Sequence, residues 1–373
     1  MEPDRHRINS ILAVTYYFFF ILNSLVTFDT AQCFVLTGRS KKIRVKHDDH
    51  VIVRLSSFSK AVENTIIDKF GYESTERVRK SWDLLNEDYE HSEYLGDNDD
   101  IDSSAKTSNF RQECHSYVPG LTARTFWNAS EYEWCKKLES MYPTIREEFL
   151  NVINNNNSND KLQTEGNNVW APMVDESAMA YGSDWKTLVL MDRGIWDRTN
   201  CNFFPKTAKA IHDCNVPTTE IFFASMQPKS TIKMHSDMVN FVLTSHLPLV
   251  IPQNGMNKCR LTVGDDTKEW LNGKVMLFDT SIMHDAINDT DEMRYILMLR
   301  VWHPELTNVE RDALRHTFDC LAHPDLTSTH PDRKFMAEQE VQAWHAFPDD
   351  IFRNKAATTT VKNNKTSSKL KKK

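Results

Sequence analysis

His235 and Asp237 stand two residues apart in MHSDM, His284 follows 49 residues after the first histidine, and Arg294 ten residues after the second. Two imidazoles and one carboxylate are the donor set of many non-haem Fe(II) sites. Imidazole suits the ion, the carboxylate adds charge, and three ligands on one face leave the other positions open for chemistry. In a strand, side chains at i and i+2 share a face, so a strand through His235 would present it together with Asp237. An isolated His-x-Asp is a common accident of sequence and more often a polar strand end. His284 and Arg294 change its weight. A guanidinium at the inner end of such a pocket can hold the distal carboxylate of 2-oxoglutarate through two parallel hydrogen bonds; without the other three residues, Arg294 would read as a salt-bridge arginine.

The elements that must position these residues are short and strand-like. After Tyr181, the runs IFFASM (Ile221 to Met226), MHSDMVNFVLTSHLPLVIP (Met234 to Pro252), KVMLFD (Lys274 to Asp279) and YILMLRVW (Tyr295 to Trp302) are rich in β-branched, aromatic and aliphatic residues. They are separated by turns such as PQNGMNK and lack βαβ alternation. That predicts a mainly β fold with flanking helices, an antiparallel jelly-roll or cupin-like sandwich. Upstream, Ser130 to Glu133 has the form of a capping box. Trp134, Leu138, Met141, Ile145, Phe149 and Val152 then recur at helical spacing, with Pro143 as a kink or break. NNNNSNDKLQTEGNN (Asn154 to Asn168) reads as a polar surface loop.

Composition bounds the rest. The 373 residues are 40% hydrophobic and carry net charge −7; the seven lysines of residues 355–373, which read as a disordered tail, leave residues 1–354 at −14. A body that acidic argues against a nucleic-acid partner. The run ILAVTYYFFFILNSLVTF (Ile11 to Phe28), within residues 1–33, reads as a signal peptide or membrane anchor, and membrane association would run through residues 11–28. The basic residues after it favour cleavage, before Phe34, over an uncleaved anchor. The expected location is the secretory pathway or endoplasmic reticulum, anchored or lumenal; FVLTGRSKKIRVK keeps plastid targeting as the alternative. Residues 34–110 read as a variable linker region, since Asn86 to Asp102 holds eight acids and no Lys or Arg. Residues 321–354 are a C-terminal extension. Seven scattered cysteines are too few for a disulfide scaffold, though one or two bridges are expected in an oxidising compartment, Cys201 and Cys214 being closest in sequence. Asn128, Asn156 and Asn288 head glycosylation patterns.

WKTLVLMDRGIWDRTNCNFFPKT, HSDMVNFVLTSHLPLVIP, WLNGKVMLFDTSIMHDAIND and RYILMLRVWHPELT, in that order, resemble the aspartyl/asparaginyl β-hydroxylases, Fe(II)- and 2-oxoglutarate-dependent dioxygenases with a double-stranded β-helix. The resemblance spans about Tyr117 to Asp312 and places an oxygenase domain at 111–320. It implies oxidation of an unactivated C–H bond of an Asp/Asn-type side chain in a peptide or protein substrate, with O2 and 2-oxoglutarate as co-substrates and ascorbate as support. Residue by residue, it implies that His235 and His284 bind iron, that Arg294 holds the distal carboxylate of 2-oxoglutarate, and that His246 touches that co-substrate. Asp237 stands where animal members carry glycine, so this chain keeps a full triad. Thr244 and Val242 stand where family arginines would be, Ala224 where a serine would be, and Ala208 where a cysteine would be. Ser225, next to Ala224, should face the other side of its strand. Two rival classes stay open: a secreted jelly-roll binding module with a structural or vestigial metal site, and a non-oxidative cupin-type metalloenzyme. Neither needs a buried carboxylate clamp.

Overall fold

Side chains along Arg294–Trp302 alternate between two interiors: Leu297, Leu299 and Val301 enter one hydrophobic core, Ile296 and Met298 another. This period-two pattern of a strand buried on both faces explains why the run is apolar almost throughout. The computed structural model describes residues 49–95, 110–172 and 178–349. The N-terminal segment read as a signal or anchor, residues 96–102 of the acidic run and the lysine tail lie outside them. Among the described residues no helix is long and apolar enough to cross a membrane.

A large antiparallel sheet is ordered β3 (Phe126–Trp127), β12 (Met276–Phe278), β9 (Val242–Val250), β14 (Arg294–Trp302), β7 (Thr218–Met226), β5 (Trp185–Asp192) and β4 (Ala171–Pro172), with β6 (Ile195–Trp196) also on β5. A smaller antiparallel sheet is ordered β11 (Asp266–Glu269), β10 (Cys259–Val263), β13 (His284–Asn288) and β8 (Ser230–His235). The two sheets share one interior. Ala224, Met226, Phe278, Ile296 and Met298 of the large sheet form a cluster with Ile232, Leu261, Val263 and Ala286 of the small one. This is the expected double-stranded β-helix of jelly-roll type, with helices on the outer face of the large sheet.

The helix Glu133–Ile153 buries Leu138, Ile145 and Phe149 against Phe223, Leu247 and Leu297. It passes through Pro143 without a break. The Ser130–Glu133 capping box does not form: a short turn at Ala129–Glu131 is capped by the Asn128 carboxamide, and the helix starts after Tyr132 with no side-chain cap. The asparagine-rich stretch is not a loop. Asn156–Glu165 is a helix because Asn155 caps it by accepting from the Ser158 amide, and fully buried Leu162 anchors it. Composition was misleading there, since one apolar residue and one cap suffice once a partner surface exists.

The stretch read as linker also contributes to the core. Helices Asp49–Phe70 and Glu76–Asn86 bury Val62, Ile66, Val78 and Trp82 with Phe241, Trp302 and Leu314, and Arg77 is paired with Glu310 at 2.7 Å. His91–Tyr94 (β1) pairs with Arg111–Cys114 (β2). The C-terminal extension adds Leu326, Ala337 and Val341 to the same cluster. The six described cysteines are all buried and free, so no Cys201–Cys214 bridge exists; the Cys201 thiol instead donates to the Leu190 carbonyl. Asn288 is fully buried, with its carboxamide bonded to Met226, Gln227 and Glu292 carbonyls, which removes it as a glycosylation acceptor.

His316 packs between Phe70, Thr65 and Cys320. Burial, with Lys69 nearby, lowers its pKa from 6.5 to about 4. Neutral imidazole is therefore favoured in the folded state. The stabilisation is complete above pH 6.5 and is lost as pH falls through this window towards 4, on the order of 3 kcal/mol at most. Urea unfolding at about pH 7 and about pH 4.5 should show a smaller acid loss for His316→Gln than for the wild type. Equal losses would exclude His316 as a source of the acid sensitivity.

Candidate metal and co-substrate site

Strands β8 and β13 are antiparallel neighbours in a register that sets His235 directly opposite His284. Their imidazoles lie 4.2 Å apart between ring centres. The two rings are held the same way: Nδ1 of His235 meets the Lys233 carbonyl at 2.7 Å, and Nδ1 of His284 meets the Ile282 carbonyl at 2.9 Å. A carbonyl only accepts, so both Nδ1 atoms carry hydrogen and both Nε2 atoms keep a lone pair, the arrangement that outer partners impose on metal-binding histidines. The Nε2 of His235 is buried with no hydrogen-bond partner.

Asp237 does not reach the cluster by strand alternation. Strand β8 ends at His235, Met238 adopts φ 61°, and β9 begins only at Val242. A turn carries the aspartate instead. Its amide donates to the Thr280 carbonyl at 2.8 Å, and the Ser236 hydroxyl reaches the Glu113 and Ser281 carbonyls at 2.7 and 3.0 Å. One ligand atom from each of His235, Asp237 and His284 lies within 4.8 Å of the others, a group that could hold a metal ion. The Asp237 carboxylate accepts from the Tyr181 hydroxyl at 3.1 Å and from the Arg300 guanidinium, which also bonds Thr280. Burial opposes its charge, yet Arg300, with His284 and His235, holds the carboxyl far below the usual range. For His284, burial and then His235 lower the imidazole pKa to about 4, so it is neutral and free to ligate at neutral pH. The orphaned Nε2 of His235, the neutral imidazole of His284 and an ionised carboxylate fit Fe(II).

Arg294 and His246 lie deeper in the same interior. Arg294 heads β14, is 1% exposed, and its Nε and Nη1 atoms have no partner. Its guanidinium carbon lies 4.2 Å from the centre of the Trp270 ring. Burial lowers its pKa to about 10, which leaves it cationic at neutral pH. His246, on β9, receives the Trp270 indole N–H at Nδ1, 3.0 Å away, and its Nε2 is unpartnered. Burial and Arg294 hold its pKa well below the usual imidazole range. Phe278 joins the two parts of the site, its ring centre 4.9 Å from that of His246 and 6.2 Å from that of His284. Ser225 bonds the Lys186 carbonyl, while Ala224 enters the shared interior, so Ser225 does not replace the missing serine.

Sequence reasoning missed Arg300, Tyr181, Thr280 and Trp270. Arg300 was within reach: it lies six residues after Arg294, an even spacing that puts both on one face of β14, and it sits opposite Thr244 of β9. His303 of the Trp-His-Pro motif bonds the Thr122 carbonyl and receives the Glu305 amide. Its role is structural. Replacing Arg300 by Met should leave Asp237 ionised and uncompensated, destabilising the metal-free protein by about 3–5 kcal/mol. A divalent cation should restore part of that loss in thermal melts. A loss under about 1 kcal/mol would show that the ion pair is not what holds the carboxylate.

A jelly-roll whose two sheets enclose a His, Asp and His cluster, with a buried arginine further in, belongs to the cupin-like class of proteins. A family profile described as Aspartyl/Asparaginyl beta-hydroxylase matches residues 139–304 of this chain. The human protein named aspartyl/asparaginyl beta-hydroxylase is 32% identical over 204 residues, 53% of this chain and 25% of that protein. An ornithine lipid ester-linked acyl 2-hydroxylase of Rhizobium tropici is 27% identical over 173 residues, 46% of this chain and 58% of that one. Human aspartate beta-hydroxylase domain-containing protein 2 is 29% identical over 143 residues, 36% of this chain and 38% of the relative. The chain thus spans about a quarter of the length of the first of these relatives.

Proposed function

We propose that this protein is an Fe(II)- and 2-oxoglutarate-dependent dioxygenase that hydroxylates an Asp/Asn-type side chain of a peptide or protein. The observation that carries this reading is Arg294: a cation buried to 1% exposure with two unpartnered nitrogens demands an anionic ligand, and a dicarboxylate also able to reach the metal cluster meets that demand. His235, Asp237 and His284 would hold the iron, which when bound couples oxidative decarboxylation of 2-oxoglutarate to oxygen insertion into a C–H bond. His246 would donate from Nε2 to the co-substrate. Phe278 and the apolar residues of the interior would exclude water from it.

One observation favours a second substrate class. Thr244 and Val242 occupy the positions expected to bear arginines, and Arg300 is engaged by Asp237, so a substrate carboxylate has weaker support here than an uncharged or acyl group. The relative that acts on a lipid acyl chain agrees with that alternative. We further propose entry into the secretory pathway through residues 11–28.

The test is release of succinate from 2-oxoglutarate by purified protein with Fe(II), ascorbate and air. Slow release that needs all of these components supports an oxygenase before any substrate is known. No release above a metal-free control would favour a binding module or a non-oxidative metalloenzyme.

A further inference from the structure

Trp270 opens the WLNGKVMLFD stretch, directly after β11, and is fully buried. Its backbone amide donates to the Cys259 carbonyl at 3.2 Å, which fixes the residue against β10. Its side chain then serves two groups at once. The indole N–H donates to Nδ1 of His246 at 3.0 Å, and the ring face carries the Arg294 guanidinium at 4.2 Å. The planes of the indole and the imidazole are 27° apart.

The chemistry of the donor decides the tautomer. An indole nitrogen only donates, so Nδ1 of His246 has to accept, and a neutral imidazole then carries its proton on Nε2. That Nε2 is buried and has no partner. His246 is thereby a neutral donor on the side of the ring away from Trp270. The guanidinium, in turn, is confined by stacking on the same indole, an attraction that strengthens when water is excluded.

We propose that Trp270 is a positioning residue for the co-substrate: its N–H selects the Nε2–H tautomer of His246 while its ring face seats Arg294, so one side chain prepares two donors for one dicarboxylate. The proposal rests on the 2-oxoglutarate reading above. It explains why a large polar-edged aromatic is buried here: its single N–H is satisfied by a group that has its own task.

Trp270→Phe separates the two effects, since phenylalanine keeps a ring face under Arg294 and removes the N–H. Two measurements follow. In metal-free protein labelled with 15N-histidine, the imidazole nitrogens of His246 should report Nε2–H in the wild type and a shift towards Nδ1–H in Trp270→Phe. In anaerobic calorimetry with Fe(II), 2-oxoglutarate should bind the variant about tenfold more weakly, Fe(II) affinity being unchanged. At saturating 2-oxoglutarate, succinate release should stay within about twofold, so the change falls on KM rather than kcat.

An Nδ1–H signal for His246 in the wild type overturns the proposal, whether or not the variant folds. Equal 2-oxoglutarate affinity in wild type and Trp270→Phe, with an unchanged tautomer, overturns it while leaving the oxygenase reading intact. Failure of the wild type to bind 2-oxoglutarate in the presence of Fe(II) overturns both.

Discussion

His235→Ala is expected to abolish succinate release from 2-oxoglutarate, a fall of more than about 100-fold, because loss of even an outer partner of a metal ligand costs 10–100-fold. The expectation follows from how this imidazole is held. Its Nδ1 is committed to the Lys233 carbonyl and its Nε2 is buried without a hydrogen bond, 3.6 Å from the Asp237 carboxylate, which leaves that nitrogen for an ion held between the two. The fold should tolerate the change. Asp237 keeps Tyr181 and Arg300, and His284 keeps its bond to Ile282. Far-UV dichroism and the thermal transition of the metal-free protein should therefore stay close to wild type, while Fe(II) binding by calorimetry is lost. Equal succinate release from both proteins would remove the oxygenase assignment. Release that survives chelation of iron would remove it as well.

Arg294→Ala should act on the co-substrate and spare the metal. Truncating one partner of a buried, hydrogen-bonded charge pair costs 2–5 kcal/mol, so the affinity for 2-oxoglutarate should fall by about 100-fold, with Fe(II) affinity changed less than about threefold. The metal-free protein offers a second readout of opposite sign. A desolvated guanidinium with two unpartnered nitrogens is a burden on the empty fold, and Arg294→Leu should leave the metal-free protein as stable as the wild type or more so. With Fe(II) already bound, adding 2-oxoglutarate should raise the melting temperature of the wild type further and that of Arg294→Leu hardly at all. Lysine keeps the charge but lacks the planar fork, so Arg294→Lys should recover only part of the affinity. An unchanged co-substrate affinity in Arg294→Ala would reassign this residue to structural pairing and leave the dicarboxylate without its anchor.

Much of this architecture was legible because burial writes itself into strands with a period of two. The apolar runs at Ile221 to Met226, Lys274 to Asp279 and Tyr295 to Trp302 fall within or across β7, β12 and β14, and the jelly-roll follows from several such strands without intervening helices. What composition concealed were segments whose structure depends on a partner surface. Residues 49–86 look like part of a linker region until Trp82 and Val78 meet Phe241 and Trp302, and Asn156–Glu165 looks like a loop until Leu162 finds the core.

The site divides in the same way. Residue types and spacing by themselves singled out His235, Asp237, His284 and Arg294 as side chains with metal-binding and carboxylate-binding chemistry, since donor atoms and charge are properties of single residues, and the family resemblance added His246. Only the tertiary structure decided that His235 faces His284 across β8 and β13, that a turn rather than a strand delivers Asp237, and that Arg300 and Trp270 hold the two halves of the site. Those facts belong to strand register and to packing between residues tens of positions apart, and no local pattern in one chain encodes a distance across a sheet.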